Sequence, residues 1–429
     1  MDQLDGGIAP KMQPLSPKDS VLVAAIDVGT SKIVCLIAQL KPHLAQQALP
    51  RRTHSVKVLT VGHLNNHGMK AGAVVDSGQV EKTVRQVIDL AERPKSLQVR
   101  SALVSLSGGR IETELLSGSV DVSGIVSESD VARVLATASR GSVRHGRARL
   151  HSVPIGFSSG NICGLRDPRN IVARRIGVDL QVVSTDVAVA RNLMLALESG
   201  HVSPLAMVAS PYAAGLSVLT DDEAELGATV VDMGAGTTTI AVFSGGRLVR
   251  ADGFALGGHH VTMDLARGLH IQVADAERIK RRYGIMSSGE MITIPMIGGD
   301  GGKPSTILRS AVVRIARPRL EEILEMVRDR LARSSFASMT RARVVLTGGA
   351  SQLQGLPELA YHILERPVRL GRPLGIAGLP TKAKGPDFAV AAGLLIYPQM
   401  AHLEYVPRRH PSGAGGYFSK VGQWLREGF

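Results

Sequence analysis

Two short stretches carry the residue types best suited to chemistry: DVGTSK, which begins at Asp27, and DMGAGTTT, which begins at Asp232. In each, an Asp closes a β-branched apolar run, a glycine stands two residues on, and hydroxyl side chains follow. Glycine lets the backbone approach a ligand closely, successive N–H groups in a tight turn form an anion-binding nest, and Thr or Ser hydroxyls add donors. A carboxylate at the strand end can hold Mg2+ through water, because magnesium usually keeps several waters beside one or two carboxylates. One such turn alone is also an ordinary hairpin turn, where Asp and Gly are the common residues. Two copies 205 residues apart, each in a strand–turn–strand context, point to a pair of turns that clamp a polyphosphate.

Those turns need strands to hold them. VLVAAIDVGTSKIVCLIAQL reads as two strands joined by a hairpin, and GATVVDMGAGTTTIAVFSGGRLV repeats the unit. A duplicated unit at this separation predicts two similar α/β halves facing one another across a cleft. Each half is expected to carry a helix: Gln79–Arg93 in the first, and Pro318–Ala332 in the second, with Pro318 in its first turn. A third element, VVLTGGASQLQGL, runs a buried strand into Gly348 and Gly349, whose bare backbone can pack on a purine or ribose, with Ser351 beyond them. In AERIK, Glu277 and Lys280 lie three apart and share a helix face, which suits a site or a solvated ion pair.

The remaining segments divide around these. Residues 1–19 read as a flexible arm and 20–96 as the first half. Residues 97–172, with strand-like SLQVRSALVSLSG, a helix over Ser129–Arg140 and the basic run RGSVRHGRARLH, do not fit the duplication and read as an inserted subdomain. The chain is then expected to return to the first half over 173–203 and to form the second half over 204–257 and 311–380. A small subdomain is expected over 258–310, with helices between Gly258 and Tyr283 and a Gly-rich loop at 296–306. Residues 381–400, including FAVAAGLLIY, would close the first half, and 401–416 form a Pro/Gly/Arg linker.

With 44% hydrophobic and 20% charged residues, the composition is that of a globular protein. Lys and Arg exceed Asp and Glu by 50 to 37, a balance that favours anionic partners without choosing among them. Arg166, Arg169, Arg174 and Arg175 add to the basic run, which reads as a solvated face or as a contact for a subunit, an acidic partner or membrane. Nucleic-acid surfaces interleave aromatics for stacking, and none occur from Arg140 to Ser152, so no nucleic-acid partner is expected. Cys35 and Cys163 lie in no ligand spacing, and the adjacent His259 and His260 point to different faces and make a poor metal pair. The N-terminus lacks the pattern of a signal peptide, and the body is expected in the cytosol.

The end of the chain, 417–429, is different in kind. Only seven Phe, six Tyr and one Trp occur in the sequence, yet Tyr417, Phe418, Trp424 and Phe429 fall together in GGYFSKVGQWLREGF. On a helix, Phe418, Val421, Trp424, Leu425 and Phe429 share one face, while Lys420 and Arg426 take the other side. At 1.5 Å per residue the helix spans roughly 20 Å, too short to cross a bilayer. It is suited to lie in the interface, its aromatics at the acyl boundary and Lys420 and Arg426 near anionic headgroups, or else to dock in a protein groove. Five half-buried apolar side chains contribute on the order of 4–7 kcal/mol, so one tail is a weak anchor and several on an oligomer would bind by avidity.

Two Asp-x-Gly turns, TGGAS, E-x-x-K and a closing Ala/Gly-rich segment, in this order, resemble the actin/Hsp70/sugar-kinase ATPase superfamily. Within it, GGHHVTMDLARGL, AERIKRRYG and VLTGGASQLQGL resemble the FtsA family of bacterial cell-division proteins over about residues 20–400. The resemblance implies an actin-like ATPase fold: two duplicated α/β domains around a nucleotide cleft, an inserted subdomain and a C-terminal amphipathic helix. It implies that Asp27, Gly29, Thr30, Ser31 and Lys32 hold one side of the phosphates of ATP and Asp232, Gly234, Gly236, Thr237 and Thr238 the other. Asp27 and Asp232 would hold Mg2+ through water, and Glu277, Lys280, Gly348, Gly349 and Ser351 the nucleoside.

It further implies a polymer on the cytoplasmic face of the inner membrane at the division site, which binds anionic lipid, tethers the tubulin-like FtsZ near residues 255–310 and recruits other division proteins. Actins orient the attacking water with a Gln or Glu in the joining segment, and HVSPLAMVASPYAAGL at 201–216 has no Asp, Glu or Gln, so slow or absent hydrolysis is expected. A pilus-assembly actin homologue or a small-molecule kinase of the same superfamily are the alternatives, and a chaperone would need a further domain.

Overall fold

The runs that end at Asp27 and Asp232 each fold as an interior strand of a sheet. The computed structural model describes residues 12, 14–16, 18–43, 52–108, 110–141, 143–286, 289–295, 305–333 and 343–406. In the first half, β1 (Val21–Val28), β2 (Lys32–Pro42) and β3 (His54–Asn65) form a meander, followed by a small hairpin of β4 (Met69–Lys70) and β5 (Ala73–Val74), helix α1 (Ser77–Glu92) and β6 (Ser101–Leu106). The Asp76 carboxylate caps α1 by accepting from the Gln79 amide at 3.0 Å, and Val80, Val84, Val87, Ile88 and Ala91 bury its apolar face.

The insert comprises β7 (Glu112–Ile125), α2 (Glu128–Ser139), β8 (Arg147–Ser159), β9 (Ile162–Leu165) and β10 (Val172–Asp186), joined in a sheet of order β7-β10-β8-β9. Val134, Ala138, Ile176, Leu180 and Val182 give it a core of its own. Helix α3 (Val187–Ser199) and β11 (Ser203–Ala209) then return to the first sheet, whose order is β11-β6-β1-β2-β3-β19.

After α4 (Ser210–Val218) and α5 (Asp221–Leu226), the second half repeats the plan with β12 (Ala228–Met233), β13 (Thr238–Ser244) and β14 (Arg247–Phe254). Helices α6 (Gly258–Leu269) and α7 (Val273–Tyr283), the pair β15 (Met291–Ile294) and β16 (Ser305–Leu308), and α8 (Arg309–Ala332) follow. The sheet is completed by β17 (Val344–Thr347) and, after α9 (Leu356–Leu364), by β18 (Val368–Leu370), in the order β14-β13-β12-β17-β18. The chain then passes through β19 (Ile376–Ala377) and α10 (Ala389–Met400).

The duplication extends to register. Strand β1 is antiparallel to β2 and parallel to β6 with Ile26 opposite Val104, while β12 is antiparallel to β13 and parallel to β17 with Val231 opposite Leu346. Helix α4 packs against β12 and β13, α10 packs against β1 and β6, and the two helices pack on each other. Both are buried nearly all round, as helices apolar on every face must be. A Cβ at Gly393 of α10 would fall well inside contact distance of the Ala213 carbonyl, so the crossing requires a glycine there.

Several expected boundaries move. Strand β6 belongs to the first sheet rather than to the insert, and β10 carries the insert's sheet past 172 to Asp186. Strand β11 pairs with β6, and β19 adds to the edge of β3, so 203–209 and 376–377 both lie in the first sheet. Parallel partners are distant in sequence and leave no local signature, which is why alternation alone misassigns them. Helix α8 begins at Arg309, so Pro318 stands inside it. Val312, Val313 and Ala316 continue the buried stripe of Leu320, Ile323, Leu324 and Val327, and their burial outweighs the hydrogen bond that proline forgoes.

The expected linker also starts late. Ala401–Leu403 form a 3-10 turn, and the Tyr405 amide donates to the Ser152 carbonyl at 2.8 Å. The Glu404 carboxylate is buried 2.9 Å from His151 Nδ1 of the insert. The His151 Nε2 accepts from the Ala209 amide at 2.9 Å, so the ring proton sits on Nδ1 and faces Glu404. Residues 401–406 are thereby docked on the insert. The tip of the Gly-rich loop at 296–304, the rest of the linker and the whole aromatic tail lie outside the described residues.

The basic run of the insert is partly internal bonding rather than free surface. Arg147 donates to the Ser184 hydroxyl at 2.8 Å, Arg149 to the Ser139 hydroxyl at 2.8 Å, and Arg144 pairs with Glu114 at 3.2 Å. The insert also holds the second half: Thr113 accepts from the Ala251 amide at 2.8 Å, Arg247 donates to the Pro154 carbonyl, and Arg166 pairs with Glu225.

Candidate functional site

Both Asp-x-Gly turns close in the same way. The Gly29 amide donates to the Lys32 carbonyl at 3.0 Å, and the Gly234 amide donates to the Thr237 carbonyl at 2.9 Å, the same positions in the repeat. The turns meet one another, since a Cβ at Gly236 would stand 2.6 Å from the Thr30 hydroxyl oxygen. A side chain at Gly236 would therefore push the halves apart.

The two Asp carboxylates feel each other. Burial pushes the Asp232 carboxyl up to about 7, and the negative charge of Asp27 adds to the rise while Lys32 opposes it. The Asp27 carboxyl is raised chiefly by burial, against the Ser105 hydroxyl, which donates to it at 2.6 Å, and the charge of Lys32. Asp387 adds a third negative charge near Asp27. Asp387 is taken up by Lys32, and the pair Asp27 and Asp232 suits a divalent cation, which would relieve their mutual repulsion. Among the described residues no three His, Cys, Asp or Glu side chains form a metal cage, so a Mg2+ ion here would be completed by water and phosphate oxygens.

The second turn rests on the start of α6. The Gly258 amide donates to the Gly234 carbonyl at 2.9 Å and the His259 amide to the Ala235 carbonyl at 2.8 Å. Behind them, the buried Lys280 ammonium of α7 donates to the Gly258 carbonyl at 2.9 Å, the Thr262 hydroxyl at 2.8 Å and Glu277 at 2.6 Å. The pair expected as either a site or a solvated bridge is therefore a built network that braces the turn. Burial works to raise the Glu277 carboxyl, but Lys280 and the Thr262 hydroxyl outweigh it and hold the group ionised. Glu277 keeps 40% of its side chain exposed, so its outer oxygen is available to a polar ligand such as a ribose hydroxyl.

The glycine loop after β17 completes the arrangement. Gly348 has φ of 85°, in the left-handed region, and a Cβ there would run into the Asp232 carboxylate. Its amide donates to the Pro386 carbonyl at 3.2 Å, and the Thr347 hydroxyl donates to the same carbonyl at 3.1 Å. The loop thus touches the carboxylate of one turn and the segment leading into α10.

Not every expected residue faces a ligand. Ser351 donates to the Gly348 carbonyl at 2.7 Å, and Thr238 to the Leu256 carbonyl at 2.8 Å, so both hydroxyls are spent on backbone. Lys32 engages Asp387 at 2.5 Å. Sequence reasoning missed Ser105, Asn66, Thr262 and Asp387. Ser105 stands where the repeat puts Thr347, one residue beyond the Val104–Ile26 and Leu346–Val231 pairs, so alignment of the third strands would have found it. Asn66 donates to the Gly29 carbonyl at 2.9 Å and carries no motif.

Comparison with known proteins agrees with this architecture. Residues 229–393 match the family model described as cell division protein FtsA, and residues 108–184 match the SHS2 domain inserted in FtsA. The chain is 46% identical over 432 residues to the cell division protein FtsA of Agrobacterium fabrum, covering 98% of both chains. It is 46% identical over 435 residues to that of Rhizobium meliloti, again covering 98% of both. With FtsA of Escherichia coli K12 it shares 31% identity over 427 residues, 96% of this chain and 99% of that one. Among solved structures it is similar to the PilM–PilN type IV pilus biogenesis complex, with a TM-score of 0.61 at 16% identity over 88% of this chain and 98% of that one. MreB5 of Spiroplasma citri bound to ADP matches with a TM-score of 0.51 at 12% identity over 88% and 95%. The fold is the actin-like ATPase fold with an SHS2 insertion.

Proposed function

The chain belongs to the FtsA family of cell division proteins, and from that premise we propose that it is a nucleotide-controlled membrane tether for the division machinery. In this reading it binds Mg-ATP between the two turns and assembles with further copies of itself on the cytoplasmic face of the inner membrane at the division site. It binds FtsZ there and recruits other division proteins. The observation that carries the nucleotide part is the repeated turn, closed by the same hydrogen bond in both halves, with Asp27 and Asp232 in each other's field. The likeness to a solved MreB5 bound to ADP supports it.

Each residue has a role in this reading. The Gly29–Ser31 and Gly234–Gly236 turns offer backbone N–H groups to the phosphates, and Asp27 and Asp232 hold the waters of a Mg2+ ion. The ion, when bound, supplies charge neutralisation between the phosphate oxygens. Glu277 receives the ribose, Gly348 and Gly349 lie against the base, and Lys280 and Thr262 keep the second turn in place. Residues 201–216 cover β11 and most of α4 and contain no Asp, Glu or Gln, so no side-chain carboxylate or amide in them orients an attacking water and hydrolysis is slow or absent. The pilus-assembly alternative shares the fold, but its 16% identity stands against 46% for the curated FtsA proteins.

The membrane part rests on the sequence of 417–429 alone, where Phe418, Val421, Trp424, Leu425 and Phe429 recur at helical spacing. Co-sedimentation of the full chain with anionic vesicles is expected to be strong with ATP and weaker without nucleotide. Trp424→Glu should lower binding roughly tenfold or more, as removing a buried aromatic contributes about 1.5–3 kcal/mol per chain and avidity multiplies the loss. Equal binding by both proteins would end the tail reading.

A further inference from the structure

Lys32 is the last residue of the first turn, and its carbonyl fixes that turn by accepting from Gly29. Its ammonium is not directed at the turn. It lies 2.5 Å from Asp387 Oδ2 and 3.9 Å from the centre of the Phe388 ring, with both charged side chains about three-quarters buried. Asp387 belongs to the 3-10 turn Pro386–Phe388, whose Pro386 carbonyl accepts from Gly348 and Thr347, and its Oδ1 lies 3.4 Å from Gln352 Nε2. One ion pair therefore joins the phosphate turn to the glycine loop on the nucleoside side.

We propose that Asp387 is a positioning residue that competes with a bound polyphosphate for the Lys32 ammonium and so sets how strongly the cleft prefers phosphorylated ligands. This rests on the reading of the cleft as a nucleotide site. An ammonium is a compact point charge that cannot give its full attraction to two anions at once. A phosphate entering the turn meets a lysine already neutralised by Asp387, and the Asp387 carboxylate repels it as well. The pair holds the turn and the loop in register at the expense of phosphate affinity. Phe388 keeps Lys32 close by stacking under the ammonium, so the lysine changes partner without leaving the site.

The consequence is an inverted mutational response. Asp387→Asn keeps the shape and the hydrogen bond but removes the charge, and should tighten Mg-ATP roughly three- to tenfold, the scale of a partly exposed ion pair. Lys32→Met should weaken Mg-ATP, and in the double variant the gain from Asp387→Asn should vanish. Adenosine, which makes no claim on the ammonium, should show no gain from Asp387→Asn.

Titration of the full chain and the three variants with Mg-ATP and with adenosine tests this, with thermal melting to confirm that each variant is folded. Asp387→Ser serves if Asp387→Asn does not fold. Tighter Mg-ATP binding that depends on Lys32 supports the proposal. Unchanged or weaker Mg-ATP binding by folded Asp387→Asn, beside normal binding by the parent chain, overturns it and leaves the nucleotide reading intact. No Mg-ATP binding by the parent chain overturns both.

Discussion

Replacing Asp232 by Asn is expected to act in opposite directions on binding and on stability. Mg-ATP affinity should fall roughly 10- to 100-fold, the usual loss when a group that orients a metal through water is neutralised. The protein without nucleotide should melt at a higher temperature above neutral pH. The reason is that the Asp232 carboxyl is pushed up to about 7 by burial and by Asp27. Between the ordinary carboxylate range and about 7, the folded chain keeps a proton that the unfolded chain has lost. The contribution of this group to stability therefore falls as pH rises through that window. Asn has no charge to bury and no such slope. Thermal melts of the parent and the variant across pH, each with and without Mg-ATP, read both effects. A variant less stable than its parent at every pH would contradict this account of the carboxylate pair.

The second large effect lies where α4 and α10 cross. Gly393→Val should cost more than about 3 kcal/mol of stability, because any side chain there meets the Ala213 carbonyl, and backbone cannot rotate aside. The comparison is Gly215→Ala in α4, where the new Cβ meets the Phe243 ring, a side chain rather than backbone. Its loss should be the smaller of the two. Denaturant unfolding of Gly393→Val, Gly393→Ala and Gly215→Ala measures the difference. If the substitutions at 393 proved mild, the close crossing of the two helices would be wrong. Since α10 lies on the first sheet and α4 on the second, a spread crossing should also weaken nucleotide binding.

Much of this could be read from residues alone, for identifiable reasons. Asp27-Val-Gly29 and Asp232-Met-Gly234 are local motifs within hairpins, and their 205-residue offset survives in the strand register itself. Helix α1, expected over Gln79–Arg93, runs over Ser77–Glu92, its start set by the Asp76 cap that the sequence reading passed over. What stayed hidden depends on distant pairing. Strands β6, β11 and β19 join the first sheet by parallel contacts that no local pattern marks. Helix α8 runs through Pro318 because the core accepts its earlier apolar residues.

At the cleft the same division holds. Glu277 and Lys280 are visible as a helix-face pair, but Thr262, which turns them into a buried network, lies on another helix. Asp387 is isolated in sequence and meets Lys32 across 355 positions, so only the fold assigns it a role. Glu404 looked like part of a linker and is instead buried against His151. In each case the missing information was a tertiary partner rather than a residue type.

Everything proposed for the cleft depends on one nucleotide binding between the two repeated turns. A crystal structure of the full chain with Mg2+ and a non-hydrolysable ATP analogue tests it most directly. The phosphates are expected against the Gly29–Ser31 and Gly234–Gly236 backbone, the cation on the side of Asp27 and Asp232, and the nucleoside between Glu277 and the Gly348–Gly349 loop. Phosphates bound elsewhere on the chain, or no analogue in the cleft at saturating concentration, would contradict it.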